Sequence, residues 1–326
     1  MSLPQDLTEA APKVYRPQDF PQGAVRFCVP GGIGDISWVY GKLRHLSQTS
    51  GRAVILHAPA EDQPQRAYDF IRLLPDVFWG GYLPGRTSWE VHAQSLPAEW
   101  PLTAGWGPLI QPLTLNLSAN LHLELGRPLR EWLPLLPVDY HYPLCFPAKE
   151  AQEAAELELN WPKPRIAVYV SNREKERQRA GGWDLWSTLE WLDFLTQIAG
   201  AVRVGSFVFL GAEWDRDKTE FIATELRQRT AHLKVATVLG RPLGVALSVL
   251  SRCQYCFAYP SGIGVLANVL QVPALMLLPR LLKGLETAYA DPVQLATGYY
   301  RAWADPRPAE ALEWFLKVGS VAAQLD

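Results

Sequence analysis

Residues 29–38 read Val-Pro-Gly-Gly-Ile-Gly-Asp-Ile-Ser-Trp. Three glycines, Gly31, Gly32 and Gly34, lead to a single carboxylate, Asp35, where an apolar run gives way to helical spacing. Glycines in such a turn let backbone approach a ligand or take positive φ. The carboxylate has two readings on these residues alone. It is an acid at a helix N-terminus, favoured by the macrodipole, or a general base within reach of a substrate hydroxyl. The turn fails the tests for two common phosphate cradles. A dinucleotide fingerprint, G-x-G-x-x-G, is met at Gly32 and Gly34 but has Ser37 at its third glycine; Gly41-Lys42-Leu43 comes a turn too late for a P-loop and lacks the hydroxyl.

Three further groups carry chemistry in the second half. Ser171, Arg173, Lys175, Arg177 and Arg179 follow an apolar run at 165–171, so they form either a diphosphate clamp at a strand's carboxyl end or a solvated charged loop. Ser261, Gly262, Ile263 and Gly264 open a helix after another apolar run. Backbone N–H groups there make an anion site, if the turn is more than a tight corner. Between these groups, Gly211 ends a run that leads to Glu213 and Asp215. Those acids either accept hydrogen bonds from ribose hydroxyls or cap the next helix. The CxxC at Cys253–Cys256 is single, with no histidine near. Positions three apart on a strand face opposite ways, so neither zinc nor redox chemistry is expected of it. His45, His122 and His141 show no metal spacing.

The elements that must position these residues follow from apolar periodicity. Runs at 24–30 and 53–59 read as buried strands, with amphipathic helices after each. From 76 to 145 the pattern loosens into Pro-, Gly- and Trp-rich stretches, read as irregular loops over a sheet or a pocket-shaping region. An Ala/Glu-rich helix and prolines at 148–164 make a connector. A second series of alternating strands and helices runs from 165 to about 279, and an amphipathic helix closes the chain. The expected division is an N-terminal domain at 1–147, the connector at 148–164, a second domain at 165–305 and a terminal helix at 306–326. Strand–helix alternation implies α/β, doubly wound parallel sheets. Ligands on such sheets bind at the carboxyl ends of strands, and with two sheets the cleft between them is the default site.

Bulk properties fit this reading. The chain has 326 residues, 48% of them hydrophobic and 20% charged, enough for two soluble domains. A net charge of −2 gives no global field favouring nucleic acid. Four cysteines (Cys28, Cys145, Cys253, Cys256) are too few for a disulfide framework, which suits a reducing compartment. The polar, proline-broken start reads as no secretory signal, and the most apolar stretch is interrupted by Asn268, Gln271, Pro273 and Pro279. A cytoplasmic protein with no transmembrane segment is expected.

The stretch "PGGIGDISWVYGKLRHL" resembles the N-terminal turn of the family-nine glycosyltransferases, the group that includes the ADP-heptose:lipopolysaccharide heptosyltransferases. "FLGAEWDRDKTEFI" is similar to their strand and acid element at the nucleoside, and residues 239–277 to their closing pattern of Gly-Leu, helix, strand, D-[ST]-G-x-x-H and Leu-Gly-x-Pro. The likeness covers roughly 24–50 and 165–280. Two positions depart: Pro260 stands where the pattern has Asp, and Val265 where it has His. The resemblance implies the GT-B architecture, two Rossmann-like domains facing a cleft, with the terminal helix packing back on the first. It implies an acceptor held near Gly31, Gly32 and Gly34, and an ADP-, UDP- or GDP-linked sugar held by the second domain. Asp35 would be the catalytic base. Ser171, Arg173, Lys175 and the 261–264 backbone would meet the diphosphate, and Gly211, Glu213 and Asp215 the nucleoside. The reading counts no Asp-x-Asp metal motif and expects neither cofactor nor divalent cation. The acceptor is a glycan or a hydroxymethylated base in DNA, since phage DNA glucosyltransferases share the architecture. A non-catalytic nucleotide- or glycan-binding module and a nucleotide-sugar epimerase stand as alternatives.

Overall fold

The computed structural model describes residues 25–28, 53–59, 64–75, 77–83, 102–103, 141–170 and 186–280, and parts of 32–44 and 283–322. The chain forms two compact units, Met1–Pro147 and Ala148–Asp326.

In the first unit four strands, β1 (Val25–Cys28), β2 (Val54–Pro59), β3 (Val77–Leu83) and β4 (Leu102–Thr103), form a sheet of order β3-β2-β1-β4. Every pairing is parallel. Helical residues lie between β1 and β2, at 33, 34, 36, 37, 40, 41, 43 and 44. The turn begins at the glycines: the Ile36 N–H donates to Gly32 O at 3.0 Å. Ile33, Ile36, Ser37, Tyr40 and Leu43 are buried, a spacing of three and four that gives one inward stripe. Its one polar member is satisfied, for Ser37 Oγ and Tyr142 Oη lie 2.6 Å apart. Tyr40 meets the same Tyr142 ring edge-on, centroids 4.6 Å apart.

Strand β3 departs from the sequence reading, which has irregular loops from 76. Gly80 and Gly81 sit in its interior, and paired glycines suggest a turn. The structure gives Gly80 a packing reason: the buried His57 ring on β2 occupies the space its Cβ would need.

The second unit holds β5 (Arg165–Tyr169), β6 (Ser206–Gly211), β7 (Lys234–Leu239), β8 (Tyr255–Ala258), β9 (Ala274–Leu278) and β10 (Arg301–Ala304). All five pairings are parallel, in the order β10-β9-β8-β5-β6-β7. The chain starts at the centre, winds out through β6 to β7, then returns to β5's other side as β8. The direction of winding therefore reverses between β5 and β8, the position where such sheets open a ligand crevice. Strands β8 and β9 are buried at every residue, and β6 at all but its last. Burial on both faces explains why they read as unbroken apolar runs.

Helices flank this sheet. Thr188–Ala201 begins at a capping box, in which Glu190 N–H donates to Ser187 Oγ at 3.2 Å and Ser187 N–H to Glu190 Oε2 at 2.6 Å. Against it stands an aromatic cluster of Trp186, Trp191, Phe194, Phe257 and Tyr259, paired edge to face. At its centre Tyr259 Oη accepts from Trp191 Nε1 at 2.5 Å and donates to Trp186 O at 2.9 Å. Trp186 Nε1 donates in turn to Pro306 O at 2.8 Å. The terminal helix Pro308–Ala322 buries Ala311 and Phe315 in this same core. Within the second unit Phe315 meets Tyr255 and Phe257 of β8 edge to face. Strand β10 and a short helix at Pro292–Thr297 are additions to the sequence reading.

At the sheet's opposite edge, buried Glu158 ends the helix Ala148–Glu158. Its carboxylate pairs with Arg165 Nη1 at the start of β5 and accepts from Arg252 Nη1 at 3.3 Å. Arg165 also donates to Trp161 O and Glu158 O, so the guanidinium is satisfied on several sides. Among the described residues no helix is long and apolar enough to cross a membrane.

Tyr259→Phe removes the hydroxyl and leaves the buried Trp191 N–H and Trp186 carbonyl without that partner. We expect it to lower stability by about 1–3 kcal/mol, read from chemical denaturation. Wild-type stability in the variant would mean the hydroxyl does not hold this strand end.

Candidate functional site

Because all strands of the second unit run parallel, the ends of β6, β7 and β8 lie on one edge of its sheet. The ends of β6 and β8 carry the sequence-derived residues, and Gly240 follows β7 beside the first of them.

After β8 come Tyr259, Pro260 and Ser261. Ser261 caps the helix Gly262–Val269: its φ and ψ are extended, and its Oγ accepts from Gly264 N–H at 3.3 Å. The N–H groups of Gly262 and Ile263 open the helix, where no intrahelical acceptor exists. Gly264 has a separate task. A Cβ there would lie 2.8 Å from Tyr259 O and 3.0 Å from Met276 Cε, so the glycine is what lets the helix lie close against the sheet. The four residues therefore split, with a cap at Ser261, donors at Gly262 and Ile263, and packing at Gly264. The Tyr259 anchor fixes where this turn starts.

Strand β6 ends at Gly211, and Ala212 and a single 3-10 turn, Glu213–Asp215, follow. The two acids that looked alike in sequence are used differently. Asp215 is 3% exposed and turned inward, its Oδ2 accepting from Ala212 N–H at 2.9 Å. Glu213 is turned outward, its side chain 66% exposed. Arg216 clasps it bidentately, Nε to Oε1 and Nη2 to Oε2, both at 2.6 Å. This guanidinium holds the Glu213 carboxyl below the usual carboxylate range, against a smaller opposing effect of desolvation. Beside them, Gly240 follows β7 with φ +63°, and a Cβ on it would run into Glu213 Oε2. Sequence reasoning missed Arg216 and Gly240. Their signals were present, an arginine three residues beyond the acid on a starting helix and a glycine just past a strand.

In the first unit, Gly32 and Gly34 lie at the turn after β1 where helical geometry begins. Gly31, Asp35, Ser171, Arg173, Lys175, Arg177 and Arg179 lie outside the described residues.

Comparison with known proteins bears on the backbone. No family model matches the chain, and no curated protein matches it in sequence. Solved structures do. Escherichia coli ADP-heptose lipopolysaccharide heptosyltransferase II aligns over 92% of this chain and 99% of its own, with TM-score 0.57 and 15% identity. E. coli heptosyltransferase WaaC with ADP aligns over 90% and 99%, with TM-score 0.52 and 13% identity. A glycosyl transferase of family 9 from Veillonella parvula aligns over 78% and 80%, with TM-score 0.50 and 12% identity. The chain has the GT-B fold. At such identities the likeness speaks to the backbone, and it agrees with the resemblance carried by the motifs.

Within this GT-B chain the two departures have local explanations. Val265 is 3% exposed, so an apolar residue suits a position facing the core. Pro260 sits between the anchored Tyr259 and the cap, at a point where its lack of an N–H interrupts no strand pairing. One count is corrected: the sequence does contain an Asp-x-Asp triplet, Asp215-Arg216-Asp217. Asp215 is buried on the Ala212 N–H while Asp217 is exposed on the first helical turn. Among the described residues no group of three or more His, Cys, Asp or Glu side chains is arranged to hold a metal. A cavity of about 480 Å³ lies elsewhere, lined by Thr188, Leu189, Asp217, Lys218 and Phe221. It takes in none of the sequence-derived site residues.

The CxxC is structural. Cys253 and Cys256 are buried free thiols, and Cys253 donates to Val249 O at 3.4 Å. Burial first, then the Glu158 carboxylate, pushes the Cys253 thiol up from 9.0 to about 12. Burial raises Cys256 as well. Both are held neutral in the fold while the unfolded chain ionises near 9.0. Their stabilising contribution is therefore complete below that value and is lost as pH rises from about 9 toward about 12. We expect a thiol reagent at pH 8 to leave both unmodified in the folded protein and to label both after denaturation, read by peptide mass spectrometry. Rapid labelling of either in the folded state would contradict this environment.

Proposed function

We propose that the chain is an inverting, metal-independent glycosyltransferase, moving a sugar from a nucleotide-sugar donor to an acceptor hydroxyl. The observation that carries this reading is the second unit's doubly wound sheet, six-stranded among the described residues, with an exposed, clasped carboxylate after β6 and a capped glycine helix after β8 on its carboxyl edge. An edge of that kind suits a nucleoside diphosphate: a carboxylate for ribose hydroxyls, backbone N–H groups for phosphate. The backbone likeness to heptosyltransferases, one of them solved with ADP, supports the same assignment.

The chemistry proposed is a single displacement. Asp35 takes the proton from the acceptor hydroxyl as that oxygen's electron pair attacks the anomeric carbon. The bond from that carbon to the diphosphate oxygen breaks, and the configuration inverts. A nucleoside diphosphate leaves with the bonding electrons. Its growing charge is met by Arg173 and Lys175 and by the backbone N–H groups of Gly262 and Ile263, since fixed positive partners stabilise developing charge without reorganising. Pro260 and Val265 carry no acid or base, so no proton step runs through either. The acceptor is a glycan or a hydroxymethylated base in DNA. Strong weakening of acceptor binding by salt would mark the DNA form.

The test is Asp35→Asn, assayed for nucleoside diphosphate release with the productive donor and acceptor. Loss of a general base removes about 10²–10⁴-fold in rate. We expect a loss of that size with nucleotide affinity unchanged. Near-normal turnover would overturn the base assignment. A wild-type chain that converts donor alone would be an epimerase, and one that binds but never turns over a binding module.

A further inference from the structure

The helices Thr188–Ala201 and Arg216–Arg229 pack side by side, and each already has a buried apolar face. Trp191, Phe194 and Leu195 serve the first, and Ile222, Ala223 and Leu226 the second. Three large apolar side chains of this region stay outside. Leu189 is 63% exposed, Trp214 56% and Phe221 53%. Single exposed apolar residues are ordinary, but these are grouped. Leu189 and Phe221, from different helices, line the open depression of about 480 Å³ together with Thr188, Asp217 and Lys218. Trp214 is not part of that lining. It stands in the 3-10 turn that runs into the second helix, three and four positions ahead of Asp217 and Lys218. That spacing puts it on the same side of the chain, beside the depression.

The depression has the chemistry that receives an indole. Leu189 and Phe221 give apolar walls for the ring, and an aromatic wall allows edge-to-face packing. The Asp217 carboxylate is an acceptor for an indole N–H. The Lys218 ammonium is a cation for the ring face. An exposed indole lies on the same surface, at Trp214. We propose that two copies of the chain meet at this face about a two-fold axis, with Trp214 of each copy seated in the depression of the other. A projection and its receiving hollow side by side on one surface are self-complementary under that symmetry, because residue i meets j and j meets i. The surrounding charges fit the same partner. Arg216 pairs with Glu213 and Glu220, and Arg229 with Asp193. The face thus carries both signs and presents no single-sign field to a nucleic acid or an anionic membrane. A second copy brings the same mixed signs and covers all three exposed apolar side chains. The inference stands without the donor reading.

The test is sedimentation of the full chain over a series of micromolar concentrations. The wild type should pass from one copy to two and grow no further. Trp214→Ala removes the projection and Phe221→Glu spoils the hollow. Each should weaken dimerisation by roughly 30-fold or more, the size of a lost aromatic hot spot, with the unfolding midpoint near wild type because both side chains are mostly exposed. Should Phe221→Glu fail to fold, Leu189→Glu takes its place. The decisive sample is an equal mixture of the two variants. A mixed pair keeps one intact contact, the indole of the Phe221→Glu copy in the hollow of the Trp214→Ala copy, while either variant paired with itself keeps none. The mixture should therefore dimerise more tightly than either variant alone. A wild type that stays monomeric throughout the series overturns the inference. Dimers that survive both substitutions, or a mixture no tighter than its components, overturn it as well, and growth beyond two copies overturns the two-fold axis.

Discussion

One hydroxyl, that of Tyr259, fixes the place on which the second unit's site depends. It sits where the winding of the sheet reverses, one residue beyond β8, and is bonded to Trp191 Nε1 and Trp186 O. Both partners belong to the segment that starts the helix Thr188–Ala201. A buried tyrosine satisfied on both its donor and acceptor sides resists displacement, because any shift strands two polar groups in an apolar cluster. From that fixed point the chain has two residues to reach Ser261, and Gly264 then brings the helix against the Tyr259 carbonyl. The cap, the free N–H groups and the close packing are thus consequences of one anchored residue.

The other edge of the same sheet is secured differently. Glu158 joins the start of β5 to the residues before β8 through Arg165 and Arg252. A buried ion pair of this kind need not add net stability, because desolvation offsets much of the attraction. Its consequence is geometric: breaking one partner leaves a charge buried, so the pairing fixes how the helix Ala148–Glu158 meets the strands. Aromatic packing thus defines the carboxyl edge and a charge network the amino edge, and the proposed donor site lies at the first.

Much of this was legible in the sequence. Strands β5, β6, β8 and β9 are buried on both faces and announced themselves as apolar runs. Strand β3 did not, because Gly80-Gly81 reads as a turn until His57 is seen filling the space over Gly80. Strand β10 is four residues long and alternates in burial, and its Arg301 guanidinium lies 3.4 Å over the Trp303 ring, an arrangement no local pattern signals. The terminal helix showed its apolar face, but not that Tyr255 and Phe257 would receive it. At the site, Glu213 and Asp215 were indistinguishable as letters two positions apart; a three-residue turn sent one inward and the other out. Tyr259 gave no signal at all, since its nearer partner is 68 positions away.

The central claim is that the second unit is a nucleotide-sugar site. Its most direct test is the unfolding free energy of the full chain with and without a panel of nucleoside diphosphates and nucleotide sugars. A ligand that binds only the folded chain adds about 2.7 kcal/mol at 100 times its Kd. The account predicts a stabilisation approaching that size with one base and its sugar conjugate, and little with the others. Stability unchanged by every nucleotide at millimolar concentration would contradict it, and would leave the GT-B fold without a donor.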